Sequence, residues 1–198
     1  MTLTLYEHPF ASYCWKVLIP LFELDLPFEW RLVDDAAGLT LPESTAIIEY
    51  LDGLGAGPRL IPVDPAAALQ VRLWDRIVDG HVMTPMQKNV GDNLRPEGRG
   101  DPEGVREARA ALDRAYDLLD SHLAGREWLA GTGFSLADCA AAPSLYYGRV
   151  VQRWDEVRLR DLTRYFTTLT ARPSVVRVID EAREYRDLFP LPWPDYVD

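Results

Sequence analysis

The chain has 198 residues, 47% of them apolar, a formal charge of −10 at pH 7 and a pI near 4.8. That is enough apolar material for a packed core in one large domain or two small ones. The acidic balance argues against a nucleic-acid partner, since binding a phosphate backbone requires a clustered basic surface.

Two cysteines, Cys14 and Cys139, lie far apart and in neither C-x-x-C nor metal-ligand spacing. They read as reduced thiols, and no metal site is expected. The opening "MTLTLYEHPF" lacks a basic segment followed by a long apolar one, and no apolar run reaches the ~20 residues a membrane span needs. The expectation is a cytoplasmic protein with no membrane partner.

Residues 3 to 6 are short, apolar and β-prone, and Pro9 closes them off, which predicts a first strand. From Cys14 the apolar residues Cys14, Val17, Leu18, Leu21 and Phe22 recur at the spacing of a helix packed on one side, with Pro20 expected to bend it. This phase sends Cys14 toward the core. "PFEWRLV" (27 to 33) reads as a second strand, parallel to the first because the crossover is long enough. "LTL" (39 to 41) is a minimal strand. The helix after it has Ser44 as its expected N-cap and Ile47, Ile48, Leu51 and Leu54 on one face, and it stops at Gly53, Gly55, Gly57 and Pro58.

"GAGPRLIPVDPAA" is a linker by composition, and Asp64-Pro65 behind it is a helix start. Beyond it the patterning is helical: about 65 to 90, 102 to 124, 136 to 152, 159 to 171 and 174 to 184. Ser135 and Asp138 stand at capping-box spacing. The tail "DLFPLPWPDYVD" is too rich in proline for a helix and too apolar to float free, so it is expected to pack across the helices.

Four side chains in "HPFASYCWK" can do chemistry. Cys14 falls on the core stripe, where a thiol has a raised pKa and little nucleophilicity. His8 has neither a carboxylate partner nor a metal-ligand spacing in the sequence. Ser12 precedes the stripe where strand turns into helix, beside unpaired N–H groups and the positive end of the dipole; its hydroxyl serves either as a cap or as part of an anion site. Tyr13 offers a phenol. In "PES", Glu43 and Ser44 form a second helix start, where a carboxylate beside a hydroxyl and free N–H groups suits an α-amino-acid head group. Met83, Met86, Tyr146, Tyr147 and Trp193 are candidate pocket residues that also suit a core.

Together, "LTLYEHPFASYCWKV", "LTLPESTAIIEYL", the linker, the helical second half and "FSLADCAAAPSLYY" resemble the cytosolic glutathione S-transferase family, in its bacterial serine-type form. The resemblance implies an α/β plus all-α fold: a thioredoxin-like glutathione-binding domain over residues 1–57 and an all-helical domain over 64–198. It implies that Glu43 and Ser44 grip the γ-glutamyl group and that Ser12 hydrogen-bonds the glutathione sulfur. Many serine-type members carry that hydroxyl at the position of Ala11, one residue earlier. It also implies glutathione as co-substrate, a small hydrophobic electrophile held near Tyr13, Met83, Met86 and Tyr146, a homodimer and a detoxification role.

The family has a further helix, and a strand with a cis-proline, where this sequence has only "DDAAG". Losing a central strand would cost more than a marginal stability of ~5 to 15 kcal/mol allows. Roughly 20 to 35 residues are therefore expected to be missing near 33–36. The leading activity is conjugation of the glutathione thiolate to an electrophile. The alternatives are a glutathione-dependent isomerase, dehalogenase or reductase on the same fold, or a binding module without catalysis.

Overall fold

Strand β1 (Leu3–Glu7) pairs in parallel with β2 (Phe28–Leu32), in a register that sets Leu3 against Phe28 and Leu5 against Trp30. The computed structural model describes residues 3–8, 11–32, 43–55 and 58–197. The minimal strand expected at 39–41 and the break expected near 33–36 lie outside the described residues.

Helix α1 (Ser12–Glu23) crosses between the strands and contains Pro20. A one-sided stripe was expected, but Trp15 to Leu21 are all buried. The helix is enclosed by the sheet, by α2 (Ser44–Leu54) and by helices of the second half. Cys14, expected in the core, is only half-buried, because the stripe assumed a single apolar face.

Helix α3 (Pro65–Val78) starts as its sequence predicts, with the Asp64 carboxylate accepting from Ala67 N–H at 2.8 Å. The predicted single helix over 65–90 divides. A π-helical turn spans Asp79–Met83 and leads into α4 (Thr84–Asn93). Pro85 explains the change of pitch: it has no N–H to give to the preceding turn, and its ring crowds the carbonyl four residues back. Asp101-Pro102 opens α5 (Pro102–Leu123) with the same capping bond, here from Gly104 N–H.

Helix α6 (Leu136–Val151) is the buried axis of the helical half. Its capping box closes, and Asp138, fully buried, also accepts from Leu129 N–H and from the Tyr165 hydroxyl at 2.7 Å. Helices α7 (Arg160–Thr170) and α8 (Pro173–Ala182) follow, then a 3₁₀ turn over Arg183–Leu188. The tail packs where expected, with Phe189 stacked on Tyr147 and Trp193 against Tyr146. A clasp ties α1 to the start of α8: Arg172 donates two hydrogen bonds to Glu23 at 2.7 and 2.6 Å, and the Ser174 hydroxyl donates a third. No helix among the described residues is long and apolar enough to cross a membrane.

Candidate functional site

The start of α1 differs from the expectation by one residue. Ala11 is the N-cap and Ser12 the first helical residue, so the Ser12 hydroxyl is not used in capping. It stays beside the helix's unpaired N–H groups and is free to face a cavity. The same offset occurs at α2, where Glu43 is the N-cap and Ser44 the first helical residue.

Ser12, 6% exposed, lines a cavity of about 270 Å³. Ala11 and Tyr13 share that wall, α4 contributes Met86, Gln87 and Val90, and Tyr147 and Phe189 close the far side. Gln87 Nε2 lies 3.5 Å from Ser12 Oγ, at the edge of hydrogen bonding. Of the expected pocket residues, Tyr13, Met86 and Tyr147 line this cavity, and Trp193 does not. Met83 is buried in the core, and Tyr146 is buried between Trp15 and Trp193; neither lines it. His8 is exposed.

One turn below Ser12, a buried charge network holds the site together. Lys16, with no exposed surface, lies 2.6 Å from Asp75 Oδ1 and donates to Asp79 Oδ2 at 2.8 Å and Thr45 Oγ1 at 3.0 Å. The Thr45 hydroxyl donates in turn to Asp75. Thr45 is the second residue of α2, so the network draws the N-terminal ends of α1 and α2 together. Glu43 is close enough for its charge to act on Tyr13.

Burial pushes the Tyr13 phenol above its usual range, and the charges of Asp79, Glu43 and Asp75 push the same way. Tyr13 therefore keeps its proton near neutral pH and acts as a donor. Burial likewise raises the Asp79 carboxyl, against the pull of Lys16. Burial also raises the Cys14 thiol, in line with the sequence reading. No cluster of three or more His, Cys, Asp or Glu that could hold a metal occurs among the described residues.

Sequence reasoning missed Gln87, Val90, Phe189 and the Lys16 network. Asp75 and Asp79, four apart on one helical path, were a signal for a buried cation. It becomes readable only when Lys16 is seen as enclosed rather than solvated.

A family model described as "Glutathione S-transferase, C-terminal domain" matches residues 79–173. The glutathione S-transferase GstB of Escherichia coli K12 is 29% identical over 202 residues, covering 83% of this chain and 91% of its own. That alignment is longer than this whole chain, so GstB carries residues with no counterpart here. The glutathione S-transferase-like protein LUC7 of Fusarium is 37% identical over 117 residues, 58% of this chain; the chain spans about half of LUC7, 52%. A crystal structure of a glutathione S-transferase from Methylobacillus flagellatus with GSH bound superposes with a TM-score of 0.81 at 26% identity, covering 88% of this chain and 98% of that one.

The architecture is a thioredoxin-like N-terminal part joined to a helical C-terminal part. The likeness runs through both parts, and the family-model match, the relatives and the structural neighbour together support a cytosolic glutathione S-transferase family protein.

Proposed function

We propose that this protein is a glutathione transferase joining the glutathione thiolate to a hydrophobic electrophile in a detoxifying conjugation, with residues 1–57 binding glutathione and 64–198 forming the helical half. A free thiol has a pKa of ~8.5, and lowering it by two units takes ~2.7 kcal/mol of preference for the anion. A hydrogen bond from Ser12 (~1–3 kcal/mol) and the α1 N-terminus (~0.3–1 kcal/mol) are of that size. Tyr13, kept protonated by its surroundings, is a second donor. Glu43 holds the ammonium of the γ-glutamyl group, while Ser44 and the free N–H groups of α2 hold its carboxylate. Met86, Val90, Tyr147 and Phe189 shelter the apolar co-substrate beside the sulfur.

The observation that carries this reading is that Ser12 shares its cavity with that apolar wall. The test is retention on immobilised glutathione followed by ultraviolet titration of the bound thiol. The wild type is expected to be retained and to keep a thiolate band near neutral pH. Retention without that band would favour another reaction of the fold, and failure to bind glutathione would favour a module without catalysis.

We also propose a homodimer. Tyr50 and Leu54 of α2 and Leu69 and Leu73 of α3 are exposed apolar side chains on two helices bridged by Arg72 and Glu49. Light scattering should then give twice the 22.4 kDa chain mass. A monomer at micromolar concentration would refute this assignment.

A further inference from the structure

Strand β1 alternates faces, so Leu3, Leu5 and Glu7 point the same way, and the third member of an apolar series is a carboxylate. Glu7 is 6% exposed, and its Oε2 is buried with no hydrogen-bond partner among the described residues. The Trp30 indole hydrogen-bonds the carboxyl. Both residues line a second cavity of about 400 Å³, separate from the Ser12 cavity and bounded by the sheet, α1, α8 and the 3₁₀ turn. Most polar atoms of buried side chains have a hydrogen-bond partner. This carboxylate keeps an oxygen unpaired among the described residues while its side chain forms part of the cavity wall.

The rest of the wall narrows the chemistry. Trp15 of α1 and Phe28 and Trp30 of β2 supply aromatic surface. Glu181 and Glu184 add two more carboxylates, against a single cation, Arg177. Arg177 is already engaged: it pairs with Glu181 at 2.8 Å and lies 4.0 Å over the Phe22 ring. An anion would meet three carboxyl groups and a cation that is already paired, and a neutral apolar molecule would leave Glu7 Oε2 buried without a donor. A cation on an apolar body satisfies both, through the carboxylate and through the ring faces.

We propose that this cavity is a second ligand site that binds a small amphipathic amine, its ammonium donating to the Glu7 carboxylate and its apolar body lying among Trp15, Phe28 and Trp30. The volume suits a compact aromatic or aliphatic amine. Burial raises Glu7 to about 7, Glu181 adds to the rise and the Trp30 hydrogen bond opposes it. The other titratable groups facing the cavity are Glu184, Tyr185 and Arg177. Binding an ammonium ionises Glu7 and releases a proton, so affinity rises with pH, by about tenfold between pH 6 and 8 for a group titrating near 7.

The experiment is calorimetric titration of the full chain with 2-phenylethylamine and, as its neutral counterpart, 2-phenylethanol. Each is measured at pH 6 and 8, and at pH 7 in phosphate and in Tris. The amine is expected to bind at least tenfold more tightly than the alcohol at pH 8, to gain about tenfold from pH 6 to 8, and to show a buffer-dependent heat that reports proton release. Glu7→Gln should reduce the amine to the level of the alcohol and remove the buffer dependence, while glutathione retention is unchanged. Trp30→Ala, on an exposed side chain, should weaken both ligands and serves as the second variant if Glu7→Gln unfolds. Equal binding of amine and alcohol, or amine binding with no proton release, overturns the proposal.

Discussion

Ser12 and Glu7 are both small exceptions to an apolar pattern, and both face cavities. Replacing Ser12 with alanine should lower kcat/KM for conjugation by about ten- to a hundredfold, the worth of one hydrogen bond to an anion, and move the bound thiol's titration upward. An unchanged titration would assign the anion site to backbone N–H groups alone. Glu7 also sets a pH dependence of stability. Its folded pKa of about 7 stands above its ordinary 4.5, so the folded state holds the proton longer than the unfolded one. Stability therefore falls as pH rises from about 4.5 to about 7 and stays lower above that. Glu7→Gln should melt several degrees higher than wild type at pH 8 and close to it at pH 4.5, by thermal circular dichroism. Ser12 was legible in the sequence as a hydroxyl at a helix start. Glu7 was not, because a carboxylate at a strand end reads as solvated until the packing against Trp30 is known.

At the scale of elements, the starts of helices were the most readable features. Asp64-Pro65, Asp101-Pro102 and Ser135 with Asp138 each use a side chain next to the backbone groups it satisfies, so local sequence determines them. The π turn was not readable, since the chain passes from α3 to α4 without losing its helical patterning and only the pitch changes. The face of α1 was misjudged because burial on several sides erases the one-sided period. Two substitutions separate local from distant contributions. Asp138→Ala should cost upward of about 3 kcal/mol in urea unfolding, because Leu129 N–H, Ser135 N–H and the Tyr165 hydroxyl all lose their acceptor in the interior. Lys16→Met should cost about 3 to 5 kcal/mol by removing the only buried cation, among the described residues, that faces Asp75 and Asp79, leaving Asp79 just the exposed Arg76. Asp79→Asn should cost clearly less, because Asp79 already holds one oxygen without a partner among the described residues.

Over the whole molecule, the two-part plan was legible from a change in patterning: strands and helix before the linker, helices after it. The joint between the parts was not, since Glu23 and Arg172 are separated by 149 positions and nothing local marks them as partners. Glu23→Gln should weaken that joint by about 1 to 3 kcal/mol.

The enclosure of α1 also bears on how the protein comes apart. A sheet whose described part is two strands is at best marginal alone, and the helix that covers it buries its residues against the second half as much as against the first. A fragment of residues 1–57 should remain unstructured by circular dichroism. In the intact chain the amide protons of α1 should exchange as slowly as those of α6, opening only when everything opens. Residues 1–57 are thus not expected to fold as an independent unit, and under the proposed function any change that loosens the helical half should be felt as lost glutathione affinity.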